Sequence, residues 1–171
     1  MFNIKKILTS ILLLSSSAYV SASNLDSICS SKEIVISGFT KHFKNNGRYA
    51  QEFGYNEINP GIGFACGVDK IASWNESVEI GAGRNSYRKE SLYISYNITY
   101  PIHDRVEVGV RLIAANGYKQ LSLSNNGWFA GPLLTTKIHL TDNWNINASL
   151  LPTIKSKNAS GFVWVTLGYR F

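Results

Sequence analysis

No stretch beyond residue 25 keeps a helical period for three turns, and nothing after the N-terminal segment is apolar for long enough to cross a membrane as a helix. Cysteine is scarce, with Cys29 and Cys66 the only two. They could pair in an oxidising compartment, but two thiols make no disulfide framework, and the pattern leaves the pairing open. Clustered basic charge is missing as well. The 17 Lys and Arg against 11 Asp and Glu are spread along the chain, which is not the footprint of a nucleic-acid binder.

What is present begins with MFNIKKILTSILLLSSSAYVSASN. Lys5 and Lys6 form a positive start, Ile7 to Leu14 a short apolar run, and Val20-Ser21-Ala22 a small-residue cleavage site. This reads as a secretory signal over residues 1–22. A short periplasmic segment over 23–32 is expected next, and then one domain over 33–171.

Alternation of apolar and polar residues runs through that domain. Val163, Val165, Leu167, Tyr169 and Phe171 share one face at the C-terminus, and strands of similar kind read at about 33–43, 60–69, 76–85, 91–100, 104–115, 128–140 and 144–151. That makes eight, an even number. The connections alternate too: Pro101 to Asp104 and Thr141 to Asn143 are short, whereas Phe43 to Asn59 and Asn116 to Gly127 are long. Short turns at one end and long loops at the other, behind a signal, predict an all-β fold. The expected architecture is an eight-stranded antiparallel transmembrane β-barrel of the Gram-negative outer membrane. An apolar ladder ending in Phe171 is the tail by which barrel assembly machinery takes up such proteins. A soluble β-sandwich or lipocalin-like barrel is the alternative.

With one face of each strand on lipid, the other lines the lumen. Toward the short turns that set holds Glu79, Arg105, Glu107, Lys137, His139 and Arg170, a polar floor. Toward the long loops it holds Gly61, Gly63, Gly81, Gly83 and Gly131 among Ile113, Phe129, Leu133, Leu151, Phe162 and Trp164. Glycine there implies either an apolar void or tight bends around a packed core. Pro60, Pro132 and Pro152 weaken pairing near the same end, and Pro132 with Pro152 would leave a gap between neighbouring strands.

The topology sends three groups to one rim: His42 at the end of the first strand, Tyr55-Asn56-Glu57 in the first long loop, and Arg84-Asn85-Ser86 after the third strand. His103 and His139 lie elsewhere, so His42 is the imidazole placed to meet Ser86. A His beside a Ser hydroxyl is a base with a nucleophile, or a base with an orienting group. No helix follows Gly83-Arg84-Asn85 to receive a phosphate, so the stretch is no nucleotide loop.

TKHF, then YNEINPGIGF, then GRNSYRKES before a tyrosine-rich strand resemble the lipid A palmitoyltransferases of Gram-negative outer membranes, over essentially the whole domain. The resemblance implies that His42 and Ser86 are catalytic, with Asn85 standing where that family has an Asp. It implies an acyl chain moved from an outer-leaflet phospholipid to lipid A by a monomer, without cofactor or metal. Tyr55, Asn56, Glu57, Gly83, Arg84 and Arg88 are the expected substrate contacts. Two departures stand out. Asn85 carries no charge to stabilise an imidazolium, a part that Glu57 would have to take over. The helix preceding the family's first strand has no room between Asn24 and Lys32. A non-enzymatic lipid-binding or surface barrel, and a lipid hydrolase, are the rival readings.

Overall fold

Strands rich in Ile, Val, Tyr and Phe, each bounded by polar turns, can satisfy their backbone groups in lipid only by closing on themselves. The computed structural model, which describes residues 28–43, 48–119, 124–153 and 160–171, shows that closure. The strands are β1 (Ser31–His42), β2 (Ile58–Ile71), β3 (Trp74–Arg84), β4 (Glu90–His103), β5 (Val106–Ala115), β6 (Phe129–His139), β7 (Trp144–Leu151) and β8 (Phe162–Arg170). All neighbours are antiparallel, and β1 pairs with β8 to complete an eight-stranded barrel. The expected signal over 1–22 lies outside the described residues.

One six-residue helix, α1 (Arg48–Phe53), departs from the all-strand expectation. It sits in the first long loop and is too short to leave a periodic signal. The polypeptide then reverses through Gly54, whose φ of 66° suits glycine.

Alternation sorts the two faces. Ile36, Ile62, Ile80, Ile94, Leu112 and Leu134 stand exposed on the outside. Aromatic pairs flank this belt at the short-turn end, Trp74 against Tyr100 at 5.2 Å and Trp144 against Tyr169 at 4.8 Å. Phe39, Phe43 and Trp128 are exposed toward the loop end. An apolar band between aromatic girdles is the outside of a membrane barrel.

Inside, charged and polar pairs fill the lower half: the ion pairs Glu33 with Lys137 at 3.0 Å and Glu79 with Arg111 at 3.2 Å, and a hydrogen bond between Glu107 and His139 at 2.7 Å. The polar floor is there, but its membership differs from expectation. Arg105 lies exposed in the β4–β5 turn, because Asp104 and Arg105 form that turn and β5 begins only at Val106. Arg111, which the alternation also turns inward, is buried in its place. Its Nε donates to Asn97 Oδ1 at 2.6 Å, and its guanidinium lies 4.9 Å below the ring of Trp164.

Cys29 and Cys66 are disulfide-bonded, with Cα atoms 5.1 Å apart. The bond ties the residues before β1 to β2, next to the Ser30 N–H that donates to Gly67 O.

Candidate functional site

A β-bulge places the imidazole. Along β1, Glu33, Val35 and Ser37 are buried, and strict alternation would then turn Lys41 inward and His42 onto lipid. The register instead shifts between Ser37 and Phe39, with Gly38 as the extra residue against β8. Beyond it Thr40 is buried and His42 faces the lumen beside Phe162, ring centroids 5.6 Å apart.

Tyr55 covers His42. Their rings stack 3.9 Å apart at 16°, and Tyr87 meets Tyr55 edge-on at 5.6 Å. Burial pushes the Tyr55 phenol up from its ordinary pKa, so it stays neutral. The segment beneath is held by the Asn56 N–H donating to Ser86 O at 2.8 Å and the Thr40 N–H donating to Glu57 O at 2.8 Å. The rim therefore brings together His42, Tyr55, Asn56 and Ser86, as expected from the order of the strands. His42 Nδ1 is buried with no hydrogen-bond partner among the described residues.

The remaining expected residues do other work. Glu57 pairs with Lys41 Nζ at 2.7 Å instead of with the imidazole. Asn85 is a brace for its own loop: Oδ1 accepts from the N–H groups of Tyr87 and Lys89, both at 3.0 Å, and Nδ2 donates to Gly117 O at 2.9 Å. Arg88 has a φ of 59° and donates through Nη1 to Gly54 O at 3.1 Å, and through Nη2 to Phe53 O at 3.4 Å. It is a latch on the end of α1, where a cation suits the free carbonyls. Arg84 is exposed at the end of β3.

Below the rim lies a cavity with about 100 Å³ of room for the centre of a water molecule. His42, Ser86 and Asn59 line its mouth, and Ile113, Phe129, Leu133, Leu151, Phe162 and Trp164 its wall. At about 10–15 Å³ per water, that is space for a short apolar segment. The glycine-walled void is smaller than the glycines suggest, because Tyr93 occupies part of it. A Cβ on Gly63 would fall 2.7 Å from Tyr93 Oη, and one on Gly81 would meet the same ring. Tyr93 in turn donates to Glu79 Oε1 at 2.8 Å and stands edge-on to Trp164 at 5.4 Å. Gly83 faces its partner Gly61, so closely that a Cβ there would come 2.7 Å from Gly61 Cα.

The wall is incomplete on one side. Among the described residues the β6–β7 ladder runs from His139↔Asn145 only to Leu134↔Leu150, whereas β5 pairs with β6 up to Ala115↔Phe129. The upper edge of β6, with Pro132, has no β7 partner there, and Pro152 follows directly on β7. Phe129 and Leu133, at this edge, are part of the cavity wall.

No protein-family profile matches the chain, and no curated protein matches it. Solved structures do. A de novo designed transmembrane β-barrel superposes with a TM-score of 0.55 at 10% identity, over 82% of this chain and 95% of the other. The N-terminal β-barrel domain of Pseudomonas aeruginosa OprF gives 0.44 at 14% identity, over 84% and 99%. The Yersinia pestis outer membrane protein Ail gives 0.42 at 14%, over 82% and 99%. The likeness is one of fold. The closed eight-stranded barrel shares its fold with the designed transmembrane barrel, and its apolar belt with aromatic girdles is the surface that such a fold turns to lipid.

Asn59 belongs to no motif that marks it as functional in the sequence. It is 4% exposed, and its amide reaches Asn56 and Ser86. An Asn directly before a proline at a strand start reads as an ordinary turn residue, and only the approach of the β3–β4 loop brings Ser86 to it.

Proposed function

We propose that the protein is a lipid acyltransferase acting at the outer surface of the outer membrane, moving a fatty acyl chain from a phospholipid to lipid A. The observation that carries this reading is the convergence of His42 and Ser86 on the mouth of one apolar-walled lumen cavity. The long-loop end is then external, and the unpaired β6 edge offers a lipid tail a sideways path to the cavity.

In this reading His42 acts as general base on a lipid A hydroxyl. The hydroxyl oxygen attacks the phospholipid ester carbonyl, and a new ester C–O bond forms. The bond to the glycerol oxygen breaks, and the imidazolium returns its proton to that leaving oxygen. Ser86 is the polar group beside the reacting carbonyl. Tyr55 must swing away or be passed from below, since it covers the imidazole. Asn85 supports the loop that carries Ser86, and the site runs without a carboxylate hydrogen-bonded to His42.

A non-enzymatic lipid-binding barrel is the second reading, favoured by that missing carboxylate and by the small cavity. Lipid A mass spectrometry from cells with and without the protein separates the two. An added acyl mass supports transfer, a lost one supports hydrolysis, and an unchanged spectrum supports binding alone. In detergent, with labelled phospholipid and lipid A, His42→Ala should lower transfer about 10²–10⁴-fold in a barrel that still folds. Full activity of that variant would remove His42 from the mechanism.

A further inference from the structure

Ser86 meets a donor. Its Oγ accepts a hydrogen bond from Asn59 Nδ2 at 3.4 Å, and no hydrogen bond among the described residues links it to His42. The amide of Asn59 cannot be turned the other way round. Its Oδ1 accepts from Asn56 Nδ2 at 2.8 Å, and its Nδ2 also donates to Asn56 O at 3.0 Å. Asn56 Nδ2 is itself committed to Ile58 O. A flipped Asn59 would set N–H against N–H and oxygen against oxygen. The Asn59 backbone carbonyl further accepts from Ser37 Oγ at 3.3 Å, so the residue is anchored to β1, to its own loop and to Ser86 at once.

A hydroxyl has one proton to give. With its oxygen turned to the Asn59 amide, Ser86 has that proton left for a group in the cavity it lines, and neither Asn59 nor His42 takes it. We propose that Asn59 is a positioning residue that presets the Ser86 hydroxyl as a hydrogen-bond donor to the ester carbonyl oxygen of a bound lipid. Ser86 then polarises the carbonyl and stabilises the oxyanion, and is not the nucleophile. This rests on the acyltransferase reading and extends it, since it names the ester carbonyl as the feature recognised.

The test uses a short-chain diacyl phosphatidylcholine and its dialkyl ether analogue, which differ by the carbonyls. Binding to the refolded barrel in detergent is followed by intrinsic fluorescence, with Trp164→Phe as the control for signal from the cavity. The wild type should bind the ester roughly fivefold more tightly, the worth of one ordinary hydrogen bond. Ser86→Ala and Asn59→Asp should each erase that preference and leave ether binding unchanged, and the double variant should match either single one. Asp keeps the acceptor that Asn56 needs but draws the Ser86 proton to itself. Asn59→Ala serves if the Asp variant does not fold, as judged by gel mobility without heating.

No preference in the wild type, or a preference that survives at Asn59→Asp, overturns the assignment. So does a loss of ester and ether binding alike, which marks a merely structural residue, and so does labelling of Ser86 by a fluorophosphonate. Transfer of a labelled acyl chain, measured on the same proteins, keeps the two ideas apart. Ester preference without transfer leaves Asn59 in its role and sinks the acyltransferase. Transfer without ester preference does the reverse.

Discussion

Gly38 decides which way the imidazole points. It is the extra residue of β1 against β8, and beyond it the inward set changes from Glu33, Val35 and Ser37 to Thr40 and His42. Deleting Gly38 removes the bulge and leaves His42 inward, whereas inserting one Val after Phe39 should reverse the parity beyond it and put His42 on the lipid face. Transfer should fall to the level of His42→Ala while the unheated protein keeps the gel mobility of a closed barrel. Full transfer by the insertion variant would show that the facing of β1 does not control the site. Asn85 works at the same scale with the opposite lesson. An Asp there restores the residue type of the resembled family, yet it exchanges the Nδ2 donor for an oxygen facing Gly117 O. Asn85→Asp should therefore weaken the contact between the β3–β4 and β5–β6 loops by about 1–3 kcal/mol, read as faster hydrogen exchange there, with no gain in transfer. A rise in activity would mean that the side chain at position 85 reaches the imidazole instead of only bracing its loop.

Between elements, one link steadies each end of the barrel. Arg88 ties the β3–β4 loop to the end of α1, and the Cys29–Cys66 bond ties the start of β1 to β2 at the opposite end. The cysteines are 37 residues apart, so closing that loop in the unfolded chain is worth about 3–4 kcal/mol in the chain-entropy account. Replacing both by Ser should lower unfolding stability by up to that amount in a urea titration, and leave the cavity end unchanged. An unaltered midpoint would show that the pairing of Ser31 with Gly67 holds this end without the bond. The short β6–β7 ladder is the converse case, a pair of neighbours left loosely joined beside the cavity, where proline withholds a donor.

For the molecule as a whole, closure and burial are the same event. Every strand has two neighbours, the outer belt is apolar, and the lumen holds ion pairs below and aromatic rings around the cavity above. Such a barrel should resist extraction from membranes by carbonate and should migrate faster on a gel before heating than after. Deleting Phe171, whose N–H donates to Lys32 O at 3.1 Å, should cut the amount of folded protein reaching the membrane. Wild-type protein recovered in soluble form would contradict the placement in the bilayer.

Alternation, strand number, the unequal connections and the shared rim of His42, Tyr55 and Ser86 are properties of period and order. They are legible in the chain because the side-chain period of a strand is two. The occupation of space is not. The glycine stripe read as a void is partly the seat of Tyr93, since a missing Cβ says only that something can approach. The carboxylate expected from Glu57 went to Lys41, and the amide of Asn85 to a carbonyl of another loop, because hydrogen-bond partners far apart in sequence meet only once the loops have packed. Asn59 and Arg111 are silent in the sequence for the same reason: each owes its role to neighbours that other loops or strands bring to it. The inward turn of His42 depends on one extra residue at Gly38. A bulge changes the parity of everything beyond it, and whether a strand glycine makes one is settled by pairing with the strands on either side.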